Sequence, residues 1–218
     1  MTRQLMRVLT RQLTRVKTRR FNIKFDCGWR VKTRPTRRWF FLAAMSMTGL
    51  AAADEPVAIC HNYGCQAQAT VTYSTAQLTQ IDRQLLTAAS AAEERQRLAP
   101  AIGQLYAWAG EQSAIHNDKG GNYADDGVSG RMDCIDHSTT TTRLLRLLAA
   151  RGDLRWHRVL EPETRYLAFV FPAHLSAVIE TTDAAAERFA VDSWFVDNGQ
   201  PAVILPLDEW KKGAGPDV

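Results

Sequence analysis

The sequence predicts an α+β domain in which N-terminal helices and one central helix pack on an antiparallel sheet. Three observations predict it. Helical periodicity follows two capping boxes; a loop of Gly, Asp and Asn leads into one further helix; and from residue 154 onward the pattern turns to short alternating runs broken by turn residues.

The chain begins with a segment of a different kind. The 218 residues hold 27 Lys+Arg against 23 Asp+Glu, and this basic balance is unevenly placed. Residues 1–53 carry 13 basic side chains and one acid, Asp26, a net +12; the remaining 165 residues, with 14 basic and 22 acidic side chains, carry −8. Phosphates repel an acidic body, so nucleic-acid binding is excluded once the leader is set apart. A basic stretch ending at Arg37-Arg38, an apolar run over 39–50 and Ala51-Ala52-Ala53 ahead of Asp54-Glu55-Pro56 have the order of an export signal cleaved after Ala53. Thr36-Arg37-Arg38-Trp39-Phe40-Phe41 also fits a twin-arginine signal. Residues 1–29 exceed a normal signal and read as a start codon placed too early, or as an Arg-rich transit peptide. Export implies a periplasmic or secreted single domain over residues 54–218, with membrane contact only through an uncleaved leader.

Export also sets the redox state. With Cys27 in the leader, Cys60, Cys65 and Cys134 remain. Cys60 and Cys65 can close a tight loop through Gly64, so a disulfide is expected there; a zinc site on Cys60-His61…Cys65 lacks a fourth ligand, and pairing with Cys134 is a further alternative.

β-branched residues over 69–73 read as a strand. Ser74-Thr-Ala-Gln77 is a capping box opening a helix to about residue 89, with Leu78, Ile81, Leu85 and Leu86 on one face. Ser90-Ala-Ala-Glu93 opens a second helix, expected to break at Pro100 and resume with Ile102, Leu105, Tyr106 and Trp108. Residues 54–113 thus form a helical layer, and 114–218 hold the candidate catalytic core. The long loop 116–133 is of a kind that carries function. A helix over 135–150 follows, with Leu144, Leu145, Leu147 and Leu148 apolar and Gly152 stopping it. Strands at 154–161, 166–171, 174–180 and 188–194, a turn at Asp197-Asn198-Gly199, a strand at 201–205 and a helix at 207–212 complete the chain.

The chemistry centres on Cys134. A helix N-terminus favours an anion and hence a thiolate, although the flanking Asp133 and Asp136 oppose it. The thiol needs a base, and His174 begins an apolar strand from which its ring is expected to face the helix. Asp192 ends the next strand, so antiparallel pairing brings it beside His174 to orient the ring. Trp194 and Tyr123 are candidate substrate-binding residues; the Cys134 N–H is one expected oxyanion donor, and Tyr123 or Asn122 is a candidate second. His137 and His157 read as structural. Three close ligands on one turn, Asp133, Asp136 and His137, rarely converge on a metal by themselves, so no metal or cofactor is expected.

Asp133-Cys134-Ile135-Asp136 opening a helix, then His174 and Asp192 on successive strands, resembles the transglutaminase-like branch of papain-type cysteine enzymes, in a bacterial exported form. The resemblance covers residues 120–196. It implies a helix packed on an antiparallel sheet, a Cys-His-Asp triad, a thioester intermediate, and a peptide or protein substrate, cell-wall peptide included. The family's usual oxyanion donor upstream of the cysteine has no recognisable counterpart here. The alternative expectation is a non-catalytic domain of the same fold that binds peptide or cell wall.

Overall fold

A computed structural model describes residues 53–121, 123–167 and 171–216. Apart from Ala53, the expected leader and its cleavage site lie outside the described residues, as does Asn122. Among the described residues no helix is long and apolar enough to cross a membrane.

The first element is a strand that the sequence pattern does not announce. β1 (Glu55–His61) pairs antiparallel with β2 (Ala67–Tyr73), Val57 opposite Val71 and Ile59 opposite Ala69. Pro56 and the short alternation hide it, but Val57 and Ile59 both enter the core. α1 (Thr75–Leu85) starts on the expected capping box: Ser74 Oγ accepts the Gln77 N–H, and Gln77 Oε1 accepts the Ser74 N–H at 2.8 Å. α2 (Ala91–Gln112) is capped by Ser90 and runs unbroken through Pro100, against the expected interruption. Proline removes one helical N–H there. Leu98, Ala101, Ile102 and Leu105 are fully buried on both sides of it, so one apolar core holds both halves in line.

α3 (Cys134–Arg151) is the central helix, closed by Gly152 in the left-handed conformation (φ 83°), where its N–H reaches the Leu148 and Ala149 carbonyls. β3 (His157–Val159), β4 (Glu163–Leu167), β5 (Phe171–Thr181), β6 (Arg188–Asp192) and β7 (Val203–Pro206) make a five-stranded antiparallel sheet. β5 is its centre: β3 and β4 pair with successive stretches of it, and β6 then β7 follow. α4 (Leu207–Lys211) closes the chain.

Both faces of this sheet are covered. Ala177, Ile179, Phe189 and Val191 join Leu144, Leu145 and Leu148 of α3 in the larger core, while Val178 and Ala190 pack with Trp194, Phe195, Leu207 and Trp210 in a smaller one. The two faces follow from the alternation of β5 and β6. His157 is buried as expected and is held by the fully buried Glu94 at 2.7 Å from its Nδ1.

Candidate active site

Cys134 is the first residue of α3, partly exposed and unpaired, while Cys60 and Cys65 form the expected disulfide. The helix start is built by Asp133 and Asp136, whose roles the sequence does not assign. Asp133 Oδ1 accepts the Ile135 and Asp136 N–H groups at 3.0 and 2.9 Å, and the Asp133 carbonyl accepts from His137. The cap thus takes the N–H groups of residues 135–137, and among the described residues the Cys134 N–H has no hydrogen-bond acceptor.

The disulfide-closed loop docks on this helix start. Gly64 N–H donates to Asp133 Oδ2 at 2.9 Å and Cys65 N–H to Asp136 Oδ1 at 2.6 Å, while Cys60 N–H is held by Thr140 Oγ1 at 3.0 Å. Backbone donors therefore face the two carboxylates that flank the thiol, which offsets the repulsion expected from them. The Cys60 and Cys65 sulfurs and an Asp136 oxygen lie within 4.8 Å of one another, but both sulfurs are used in the disulfide.

His174 and Asp192 meet as the strand pairing predicts. Ala177 stands opposite Val191, which sets Asp192 level with Ser176; His174, two residues away on the same sheet face and inside β5 rather than at its start, places Nε2 2.7 Å from Asp192 Oδ2. His174 is 4% exposed and Asp192 2%. The Asp192 carboxylate is held from two further sides. The Trp210 indole donates to Oδ2 at 2.8 Å, and the Trp194 N–H reaches Oδ1 at 3.2 Å.

The ring does not project toward the apolar stripe of α3, as the sequence suggests. It lies among Trp194, Phe195 and Trp210, with centroids at 4.7, 5.6 and 5.8 Å, on the sheet face of the smaller core. The alternation of β5 dictates this: His174 shares the parity of Val178, not that of Ala177 and Ile179. Cys134, the first residue of α3, comes within interaction range of the ring. Burial works against a charged His174; the Asp192 hydrogen bond and the hydrogen-bond and charge interactions with Cys134 outweigh it and raise its pKa above the ordinary histidine value.

Comparisons with protein-family models, curated proteins and solved structures gave no match. The site therefore rests on its own geometry. Trp194, 2% exposed, covers the His174–Asp192 pair rather than forming an open wall, and Tyr123, 75% exposed, stands edge-on to it at 4.8 Å. Two features have no clear sequence signal. Trp210 is one of several aromatics, although a buried indole N–H needs an acceptor. The Asp192-Ser193-Trp194 run hides the second, because its middle residue turns to the opposite side and bonds to α3.

Two carboxyl groups give the fold a pH signature. Burial, then the Asp133 charge, pushes Asp136 up to about 6; burial, then a hydrogen bond and charge from Asp82, pushes Asp153 up to about 7. Both exceed the ordinary Asp value near 3.9, so between those values the folded state binds more protons than the unfolded one, and acidification favours folding. The raised His174 acts in the same direction. The depressed carboxylates Asp183 and Asp197 lose their contribution only below the ordinary Asp range, outside this window. Urea unfolding is expected to show the protein more stable at pH 5 than at pH 7.5, by on the order of 2 kcal/mol. A lower midpoint at pH 5 would contradict this assignment.

Proposed function

We propose that this chain is an exported cysteine enzyme of the transglutaminase-like, papain-type kind, acting on peptide or side-chain amide bonds. The observation that carries this reading is the buried His174–Asp192 pair, its carboxylate fixed by Trp210, with the free thiol of Cys134 at a helix start near enough to help raise the pKa of His174.

Asp192 occupies Nε2, so Nδ1 is the nitrogen left for the thiol. Cys134 gives its proton to Nδ1 and its sulfur attacks the carbonyl carbon. The unused Cys134 N–H donates to the oxyanion that forms. As the C–N bond breaks, the imidazolium returns the proton to the leaving amine, and a thioester remains. Water, deprotonated by His174, then releases the acid and the free thiol; an amine in its place gives transfer. Three of the exposed large apolar side chains, Tyr123, Val128 and Ile135, lie on the loop and first turn around Cys134, which favours a peptide with apolar side chains as substrate. The disulfide suits the oxidising periplasmic or extracellular compartment that the leader implies.

The direct test is iodoacetamide at pH 7 on the folded protein, followed by peptide mapping. Cys134 is expected to be carboxamidomethylated, at least about tenfold faster than in His174→Ala. An unmodified Cys134 sinks the reading. A fluorescent primary amine added to casein then separates transfer from hydrolysis, and binding of casein without either reaction would favour the non-catalytic alternative.

A further inference from the structure

A second buried polar chain lies on the opposite side of the strand end from His174. Ser193, 4% exposed, follows Asp192 directly. Its Oγ lies 2.9 Å from His137 Nδ1, 2.9 Å from Thr141 Oγ1 and 3.3 Å from the Tyr106 hydroxyl. His137 and Thr141 belong to α3, and Tyr106 to α2. On its far side the His137 ring meets Asp118, with Nε2 and Oδ2 3.0 Å apart at 3% and 1% exposure. The two atoms are close, but the geometry is not that of a hydrogen bond. Asp118 Oδ1 accepts the Met132 N–H at 2.9 Å.

The connectivity is what matters. Each anchor lies next to a residue of the proposed triad: Met132 two before Cys134, His137 one helical turn after it, and Ser193 one after Asp192. The layers on which Cys134 and His174 stand are otherwise joined by Leu144, Leu145 and Leu148 against Ala177 and Ile179. Apolar contact fixes the spacing of two layers well but is non-directional, so it resists sliding less than a directional bond does. A thiol–imidazole contact loses its value within about 1 Å of misplacement.

We infer that His137 is a positioning residue, which through Ser193 and Asp118 sets the register of the Cys134 helix against the His174–Asp192 strand end. The inference rests on the proposed Cys-His-Asp chemistry. It assigns work to three buried polar side chains that the chemistry itself does not use, and it explains why a histidine and an aspartate meet in the interior with no solvent access.

The test compares iodoacetamide rates at Cys134 and melting temperatures for wild type, Ser193→Ala, His137→Gln, His174→Ala and Thr142→Val. Thr142 is a matched control: it is buried on the same helix, and its hydroxyl bonds only within that helix, to the Ser138 carbonyl. The expected result is an alkylation rate at pH 7 at least tenfold lower in Ser193→Ala. His137→Gln, whose amide still reaches Ser193, should retain part of the rate, and Thr142→Val should keep all of it at a similar loss of melting temperature. If one of the two network variants fails to fold, the other carries the test. Wild-type rates in both network variants, in a protein whose rate does depend on His174, would overturn the positioning role alone. A rate indifferent to His174→Ala would remove the triad reading and this inference with it.

Discussion

Cys134→Ala is expected to abolish amide turnover, with kcat/KM falling by on the order of 10³-fold or more while the fold stays intact. The cost to stability should be small, because Cys134 is partly exposed and the helix start is built by its neighbours. Asp133 and Asp136 supply the cap, and the 60–65 loop bonds to their carboxylates rather than to the thiol. His174→Ala should cost about as much as Cys134→Ala, and the double variant no more than either, because nucleophile and base act as one unit. The measurement is initial rate on a peptide amide alongside a thermal melt. Residual activity above a tenth of wild type in Cys134→Ala, free of contaminating wild-type protein, would remove the thiol from the reaction.

The parts of this site that the sequence reveals are those that depend on local pattern. Gly152 and the capping boxes mark helix ends through chemistry that acts over four residues. His174 and Asp192 are legible together because antiparallel pairing of their strands brings the two residues close. The alternation of β5 puts His174 and Ser176 on one face and Leu175, Ala177 and Ile179 on the other, but which layer covers which face is not legible. Leu175, Ala177 and Ile179 are apolar, and so is Val178 among His174 and Ser176, because α3 covers one face and Trp210 the other. With both faces buried, the polar His174 and Ser176 do not mark a solvent side. Likewise Pro100 signals a break by its own chemistry, and only the burial of Leu98 and Ile102 on either side explains why α2 continues. β1 owes its existence to pairing with β2 rather than to its own propensity. The partners Trp210, His137 and Asp118 are brought in by contacts between residues 18 to 56 apart in the chain, which no local period encodes.

Asp192→Asn should lower kcat/KM by about 10²- to 10⁴-fold, and the reason lies in how many donors the carboxylate serves. Oδ2 accepts from His174 Nε2 and from the Trp210 indole, and Oδ1 from the Trp194 N–H. All three are donors, and the group is buried. An amide offers one oxygen and one NH₂. Placed with its oxygen toward His174 and Trp210, it sets NH₂ against the Trp194 N–H; flipped, it sets NH₂ against the other two. Either way a buried donor faces a donor, at a cost of about 1–3 kcal/mol in stability. The effect on the chemistry is separate. Burial alone depresses the charged form of His174; the hydrogen bond with Asp192 is the largest interaction opposing it, ahead of Cys134 and of the Asp192 charge. With that charge gone, the imidazolium that must form during attack is disfavoured, and the pKa of His174 is expected to fall from its raised value. The pH profile of kcat/KM should therefore lose height and shift its histidine limb to lower pH. Asp192→Glu, which keeps the charge but displaces it, should lose height without that shift. Activity within threefold of wild type in Asp192→Asn would mean that the carboxylate does not orient or charge-stabilise His174.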